Sequence, residues 1–298
     1  MPTTALVLVL AAALLHALWN LAAKHAGGDH RFVLLVALFI VVLWAPVGLW
    51  AGWDTVPRWG WTQWGLVLAS GIVHLAYFTV LLRGYRASDL TVVYPVARGS
   101  GPLVSSLLAV LLLGESLSPY GALGVLAVTT GVFLVAGGPR MLRALLGQGA
   151  ADDAQARHRV RVGLGYGAAT GVLIAGYTVI DGYAVKVVLI SPILVDYFGN
   201  LLRIPFSLPG ALRDRAATLA AWRTQWRWAL AVAAMSPLAY VMVLYAMRLA
   251  PLSHVAPARE VSMLFAALIG GKLLGEGDVV LRIAGAACIA AGVAALSW

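Results

Sequence analysis

The chain has 298 residues, of which 61% are hydrophobic and only 11% are charged. Soluble domains carry about 25% charged residues, so this composition excludes a water-soluble globule and predicts an integral membrane protein. The formal net charge of +9 could indicate a nucleic-acid partner, but the basic residues lie between apolar runs. That placement is typical of loops facing anionic lipid headgroups, so we expect membrane lipids and no nucleic acid among the partners.

Apolar windows follow one another along the chain, each near the ~20 residues that a helix needs to cross a bilayer. They number ten and lie at residues 4–23, 32–51, 63–82, 91–113, 119–137, 162–182, 188–210, 227–247, 252–274 and 279–297. We therefore predict an all-α integral membrane protein with ten transmembrane helices. A basic stretch at 139–161 divides them five and five. This predicts two five-helix units, at 1–138 and 162–298, joined by a basic linker.

The two predicted units repeat each other at a constant offset of 161 residues. Polar and glycine positions match at this offset: Arg98 with Arg259, Gly114-Glu115 with Gly275-Glu276, Gly124 with Gly285, and Gly131 with Gly292. Because each unit has an odd number of spans, the second must be inverted relative to the first, which predicts two inverted repeats around a central cavity.

The repeated glycines and glutamates have structural interpretations. Glycines in the two closing helices predict close packing, either of these helices on each other or of two protomers, so a homodimer stays open. Glu115 and Glu276 stand at the last helical turn before a tight connector, and we interpret both as anchors of loops and helix ends.

Lysine and arginine also predict an orientation. With Arg98, Arg203 and Arg259 set aside as intramembrane, 3 of the remaining 18 fall on the side of the two termini and 15 on the opposite side. Because cytoplasmic loops are enriched in Lys and Arg, this count favours both termini outside the cytoplasm of a multi-pass protein of the cell's inner (plasma) membrane.

Three stretches resemble the drug/metabolite transporter superfamily, in its ten-helix form built from two EamA-type repeats. They are His16-Ala17-Leu18-Trp19-Asn20, the segment Tyr94–Pro102, and the Leu-Leu-Gly-Glu ends at 112–115 and 273–276. The resemblance runs from about Leu6 to Ser297. It implies a transporter of small molecules with both termini in the cytoplasm, which is opposite to the charge count, and both orientations stay open.

Arg98 and Arg259 each lie inside an apolar run, where an arginine costs about 3 kcal/mol or more. Since inverted repeats place matched residues about a common interface, we expect the two to approach one central site. Each follows a proline that can loosen its helix, and Gly99, Gly101 and Pro102 are expected to add to a break in the first copy. Two fixed guanidinium groups suit a carboxylate or phosph(on)ate ligand, with Tyr94 one turn away. The alternative is a structural pairing, for which Glu260 and Asp196 are available.

Asp196, Asn200 and Arg203 fall on one stripe of the seventh span. Two interpretations stay open. In one, Asp196 exchanges a proton during transport; in the other, Asn200 bridges a buried ion pair of Asp196 and Arg203. Asp181 stands near the end of its span, and we expect it at the membrane interface.

Further polar and aromatic residues inside the spans are candidates for lining the cavity. His16, Trp19 and Asn20 share the first span, and the others are His74, Tyr77, Tyr177 and Tyr240. For His16 and Asn20, lining of the cavity and hydrogen bonding between helices are equally open, because a polar pair this deep in a span avoids lipid.

The sequence favours a secondary active transporter of small organic anions or zwitterions that works by alternating access, as an exporter or exchanger driven by a proton gradient or by exchange. An exporter of hydrophobic cations and a lipid-handling, flippase-like protein are the alternatives. We predict no enzyme, no cofactor and no metal site, because no catalytic constellation, phosphate-binding loop or metal-ligand spacing stands out.

Overall fold

The computed structural model describes residues 1–27, 29–145, 154–269 and 279–297, and within these ranges the protein is helical with no strand. Twelve α-helices lie in the described ranges: α1 Thr3–Ala26, α2 His30–Gly52, α3 Trp61–Ala87, α4 Leu90–Leu113, α5 Pro119–Val135, α6 Gly138–Leu145, α7 Ala154–Lys186, α8 Pro192–Arg213, α9 Arg215–Leu249, α10 Leu252–Ala258, α11 Ser262–Ile269 and α12 Val279–Ser297. The predicted all-α membrane fold is confirmed.

In the described part of the chain, seven helices are long and apolar enough to cross a bilayer: α1, α2, α3, α4, α7, α9 and α12. The other three predicted spans fall on the 17-residue α5, on α8 and on the pair α10 and α11. The total of ten spans therefore stays a prediction. Helix α6 and the first turns of α7 occupy parts of the predicted linker at 139–161, and residues 146–153 lie outside the described ranges.

Local sequence signals set the helix ends that border the short connectors. Gly27 and Gly114 end α1 and α4 with φ values of 58° and 66°, a left-handed conformation that glycine adopts without a steric penalty. Helix α5 starts at the other end of the same connector, where the Ser118 hydroxyl accepts a hydrogen bond from the Gly121 amide at 3.0 Å and Pro119 takes the first position. The chain therefore reverses direction within this short connector.

The helices of the two halves pack in a reciprocal pattern. Helix α1 packs against α9 and α11, while its counterpart α7 packs against α3 and α4. Helix α2 contacts α8 and α9, α8 contacts α2 and α3, and the closing helices α5 and α12 contact each other. Exchanging each helix for its partner in the other half maps these contacts onto one another, whereas the contacts of α9 with α7 and α8 lack a counterpart of similar extent between α3 and α1 or α2. The inverted repeat and the boundaries of the two units stay a prediction.

The two arginine-bearing helices differ, and one expectation about them is wrong. Helix α4 continues from Leu90 to Leu113 through Pro95 and Pro102, so the break expected near Arg98 does not occur. A proline removes one backbone hydrogen bond, and packed neighbours allow a membrane helix to continue through it. The expected loosening does occur in the second copy, where α10 ends after Pro257 and a 3-10 turn at Arg259–Val261 precedes α11.

Glycines bring α5 and α12 into backbone contact. A Cβ atom on Gly131 would lie 2.5 Å from the carbonyl oxygen of Gly285, and one on Gly124 would lie 2.9 Å from the carbonyl oxygen of Gly292. These distances are shorter than any van der Waals contact, so only glycine fits at this crossing. Of the two interpretations of the repeated glycines, packing between the closing helices of one subunit is the one that the structure shows.

We expect Gly131→Ala to destabilise the protein by about 1–3 kcal/mol, because the added methyl group forces α5 and α12 apart. Thermal unfolding in detergent, followed by tryptophan fluorescence, measures this loss. Gly165→Ala is the matched control, since a Cβ atom at Gly165 would meet nothing within 4 Å. The control should leave stability unchanged or raise it by up to about 1 kcal/mol through helix propensity. Equal unfolding temperatures for Gly131→Ala and the wild type would contradict the close crossing.

Candidate functional site

The two repeated arginines meet at one carboxylate. Arg98 Nη1 lies 3.6 Å from Glu260 Oε2, and Arg259 Nε lies 3.6 Å from Glu260 Oε1. Arg98 comes from the continuous helix α4, whereas Arg259 and Glu260 belong to the 3-10 turn that interrupts the predicted ninth span. The expected approach of the two arginines is therefore observed, and Glu260 lies between them.

Burial and charge distinguish the three groups. The Glu260 side chain is 1% exposed, while those of Arg259 and Arg98 are 14% and 24% exposed. Two guanidinium groups and one carboxylate leave a net charge of +1. Charge-assisted N–H···O bonds are usually about 2.7–2.9 Å long, so at 3.6 Å neither arginine commits its donors to Glu260. The centre therefore keeps a partly accessible positive charge with guanidinium donors available to a ligand.

Aromatic and polar side chains of neighbouring helices surround this centre. The Tyr94 ring lies one turn before Arg98, with its centroid 5.8 Å from the guanidinium carbon, within the range of a cation–π contact. Helix α1 packs against the 3-10 turn and brings His16 within electrostatic range of both arginines. The predicted candidates Tyr94 and His16 thus lie at the centre, although both come from the opposite half of the chain to Arg259.

The remaining candidates on α1 are arranged around His16. The Trp19 ring meets the His16 ring edge to face at 4.8 Å. The Asn20 amide donates a hydrogen bond to the His16 carbonyl oxygen at 2.6 Å, within its own helix. This bond does not join Asn20 to another helix, so it does not support the interhelical alternative for that residue.

A second cluster joins α3, α7 and α9. The His74 ring stacks on Tyr177 at 3.8 Å, Tyr77 meets Tyr177 at 5.7 Å, and Tyr240 meets His74 edge to face at 6.0 Å. Tyr177 and Tyr240 also lie within electrostatic range of Arg259. All four aromatic candidates thus come together, next to the arginine centre.

Asp181 belongs to this cluster, and its expected place at the interface is wrong. The residue is 0% exposed, and its carboxylate accepts a hydrogen bond from the Tyr240 hydroxyl. Position along the span suggested the interface, but the side chain points into the bundle, where polar partners from α3 and α9 replace water. Tyr177 and Thr178 lie one turn before Asp181 on the same side of α7. This group of polar residues could have indicated that Asp181 faces the inside of the bundle.

Asp196, Asn200 and Arg203 form a chain along α8. The Asn200 amide donates a hydrogen bond to Asp196 Oδ2 at 3.0 Å, and Arg203 Nη1 donates one to Asn200 Oδ1 at 3.1 Å. Asn200 is buried, Asp196 is half-buried and Arg203 is exposed. Asn200 thus bridges Asp196 and Arg203 as the structural interpretation expected, but the exposure of Arg203 means that the pair is not a buried one.

Glu115, in the connector after α4, binds residues from the second half of the chain. Its carboxylate accepts hydrogen bonds from Lys186 Nζ at 2.7 Å, from the backbone amides of Leu252 and Ser253 at 2.8 and 2.9 Å, and from the Ser253 hydroxyl at 2.9 Å. Glu115 therefore anchors a loop of the first half to the start of α10, as expected. Its counterpart Glu276 lies outside the described residues.

An open groove of about 460 Å³ lies elsewhere, between α2 and α9 on the outside of the bundle. Its walls are apolar apart from one arginine: Leu35, Leu38, Phe39, Val42, Trp222, Arg223 and Trp226. Apolar walls with indole rings and a cation suit contact with lipid. Within the described residues, no three His, Cys, Asp or Glu side chains assemble as a metal site.

A helical membrane bundle with a buried cationic centre is the class of protein that the fold and the site define. The sequence model of the EamA-like transporter family matches residues 3–137, the first predicted unit. This match confirms, over these residues, the resemblance noted in the sequence, and the family, which is part of the drug/metabolite transporter superfamily, indicates a membrane transporter of small molecules. It is a multi-pass membrane protein.

Other comparisons add only the fold. A solved crystal structure of a protein superposes with a TM-score of 0.73 over 99% of this chain and 96% of the other, at 17% sequence identity. Its similarity extends through the second half of the chain, beyond the family match. No curated protein matches the sequence.

Proposed function

We propose that this protein is a secondary active transporter of small organic anions or zwitterions, located in the cell's inner membrane and working by alternating access. It would act as an exporter or exchanger, driven by a proton gradient or by exchange. The observation that carries this proposal is the placement of Arg98 and Arg259 about one carboxylate, with a net charge of +1 and guanidinium donors left over.

The charge arrangement favours an anion over a hydrophobic cation. Glu260 is the acceptor that a cationic substrate would need at this centre, yet guanidinium groups lie 3.6 Å from each of its oxygens. Both arginines would repel a cationic substrate, whereas a carboxylate or phosphonate substrate would pair with their free donors. The tyrosines around the centre offer apolar ring surface for the rest of a metabolite.

Ligand-induced thermal shifts test the proposal. We expect succinate, phenylphosphonate or benzenesulfonate to raise the unfolding temperature of the purified protein, and tetraphenylphosphonium to leave it unchanged. Arg98→Gln and Arg259→Gln should each lose most of the anion response, because each removes one of two charged partners. Arg86→Gln, at an exposed position near the end of α3, is the matched control and should respond as the wild type does.

Transport in proteoliposomes completes the test. An anion that stabilises the wild type should also be taken up by it, and uptake should fall at least about tenfold in Arg98→Gln and Arg259→Gln, since each loses one charged partner of the anion. Normal uptake by both variants would end the anion-site proposal. Stabilisation by tetraphenylphosphonium alone would favour the cation exporter, and transbilayer movement of a labelled phospholipid would favour the lipid-handling alternative.

A further inference from the structure

The buried carboxylate of Asp181 is only half satisfied. Its Oδ2 accepts a hydrogen bond from the Tyr240 hydroxyl, and the Ser70 hydroxyl lies beside the carboxylate. Its Oδ1 is buried and has no hydrogen-bond partner in the part of the chain that the structure describes, and the same holds for the Thr178 hydroxyl one turn earlier. An ionised carboxylate this deep in a membrane bundle normally has all its lone pairs paired, whereas a protonated one needs fewer donor partners.

Titratable and charged groups from several elements of the bundle surround Asp181. Those groups are His74 from α3, Asp196 and Arg203 from α8, Tyr240 from α9, Arg259 from the 3-10 turn and Tyr177 from its own helix. Asp196 and Arg203 offset each other through Asn200. Helix α4, which also packs on α7, carries Arg98, whose carboxylate partner is Glu260.

The charge of Asp181 therefore sets the net charge of the arginine centre. With Asp181 ionised, Arg98, Arg259, Glu260 and Asp181 sum to zero. With Asp181 protonated, they sum to +1, and an anion gains a site of opposite charge. Tyr240 connects the two parts, because it bonds to Asp181 and lies within electrostatic range of Arg259.

We propose that Asp181 binds the proton that is coupled to anion binding at Arg98 and Arg259. The inference rests on the proposed function and identifies its coupling ion. A proton from the aqueous phase adds to the Asp181 carboxylate as the anion enters, and leaves as the anion departs. Because coupling between two sites is reciprocal, the anion promotes protonation by the same factor by which protonation promotes anion binding.

Titration calorimetry of benzenesulfonate into the purified protein between about pH 5 and pH 8 tests this coupling. The sulfonate stays ionised throughout, so any proton linkage belongs to the protein. We expect the wild-type dissociation constant to rise about tenfold over this range, a typical coupling factor. Asp181→Asn mimics the protonated acid and should bind with the low-pH wild-type affinity at every pH. Asp54→Asn, at an exposed position, is the control and should keep the wild-type pH dependence. Asp196→Asn leaves Arg203 uncompensated near Asp181, so it should move the profile to lower pH without flattening it.

The outcomes separate this proposal from the one on which it rests. Wild-type binding that does not depend on pH would overturn the role of Asp181 and leave the anion site standing. The same conclusion would follow if Asp196→Asn lost the pH dependence and Asp181→Asn kept it. No binding at any pH would overturn the anion site itself. If Asp181→Asn does not fold, Tyr240→Phe serves instead: the loss of its hydrogen bond to the ionised carboxylate should move the midpoint of the pH profile upward, and an unmoved midpoint would contradict the proposal.

Discussion

Glu260→Gln is expected to destabilise the protein by about 3–5 kcal/mol, the usual cost of removing one partner from a buried ion pair. Gln has nearly the same shape as Glu, so the change leaves packing intact and removes only the negative charge. Arg98 and Arg259 then face each other without the carboxylate that lies 3.6 Å from each. Thermal unfolding at low ionic strength, with tryptophan fluorescence as the readout, measures the loss.

The same variant reports on anion binding. Because two guanidinium groups without a carboxylate attract an anion more strongly than two that share Glu260, added sulfate should stabilise Glu260→Gln more than the wild type. Asp54→Asn, which removes an exposed carboxylate, is the control and should stay within about 0.5 kcal/mol of the wild type. A Glu260→Gln protein that unfolds at the wild-type temperature would show that the carboxylate does not hold the two arginines together.

Glu115→Gln should cost about 3 kcal/mol or more, because hydrogen bonds to a charged group contribute about 1.5–3 kcal/mol each and this carboxylate accepts four. The Lys186 side chain is one-third exposed, so solvent screens its ion pair with Glu115 and the pair supplies only a small part of this stability loss. Ser253→Ala removes only one of the four bonds and should cost about 1 kcal/mol. Unfolding temperatures of the two variants give the comparison, and equal losses would contradict the anchoring role of the charge.

Acid should remove the contribution of Glu115. Burial alone would raise its pKa, but hydrogen bonds from Lys186, Ser253 and Leu252 outweigh burial and lower the pKa below the ordinary value of 4.5. A pKa lowered by folding means that stabilisation is complete above pH 4.5 and is lost as pH falls through the folded-state value. The stability difference between the wild type and Glu115→Gln should therefore be constant from about pH 8 to about pH 5 and shrink below pH 4.5. A difference that grew in acid would have the wrong sign.

Hydropathy and an internal repeat predicted much of the candidate site. An arginine inside an apolar run is conspicuous because of its cost in lipid, and the constant offset of 161 residues pairs Arg98 with Arg259 along the chain. The two side chains do share Glu260. The tyrosines and histidines inside the spans also come together, because polar and aromatic groups within a membrane bundle turn away from lipid.

Asp181 and α4 show where sequence reasoning failed. Its position near a span end suggested that Asp181 lies at the interface. Its burial, however, depends on the direction in which its side of the helix faces and on Tyr240, 59 residues away. Pro95, Gly99, Gly101 and Pro102 suggested a break in α4, yet the break occurs only in the second copy, beside Arg259. Local helix breakers act only where the neighbours do not hold the helix in place.

The sequence by itself determined that this is a helical membrane protein with a resemblance to the EamA-like family and with arginines inside apolar runs at repeated positions. Low charge and long apolar runs leave the chain no other solvent than lipid, and the repeat offset is a property of the residues alone. The tertiary structure alone decided that Glu260 lies between the arginines, that glycines of α5 and α12 face each other, and that Asp181 lies within the same polar centre. Those facts depend on how helices distant in sequence rotate and cross, and no local pattern encodes that.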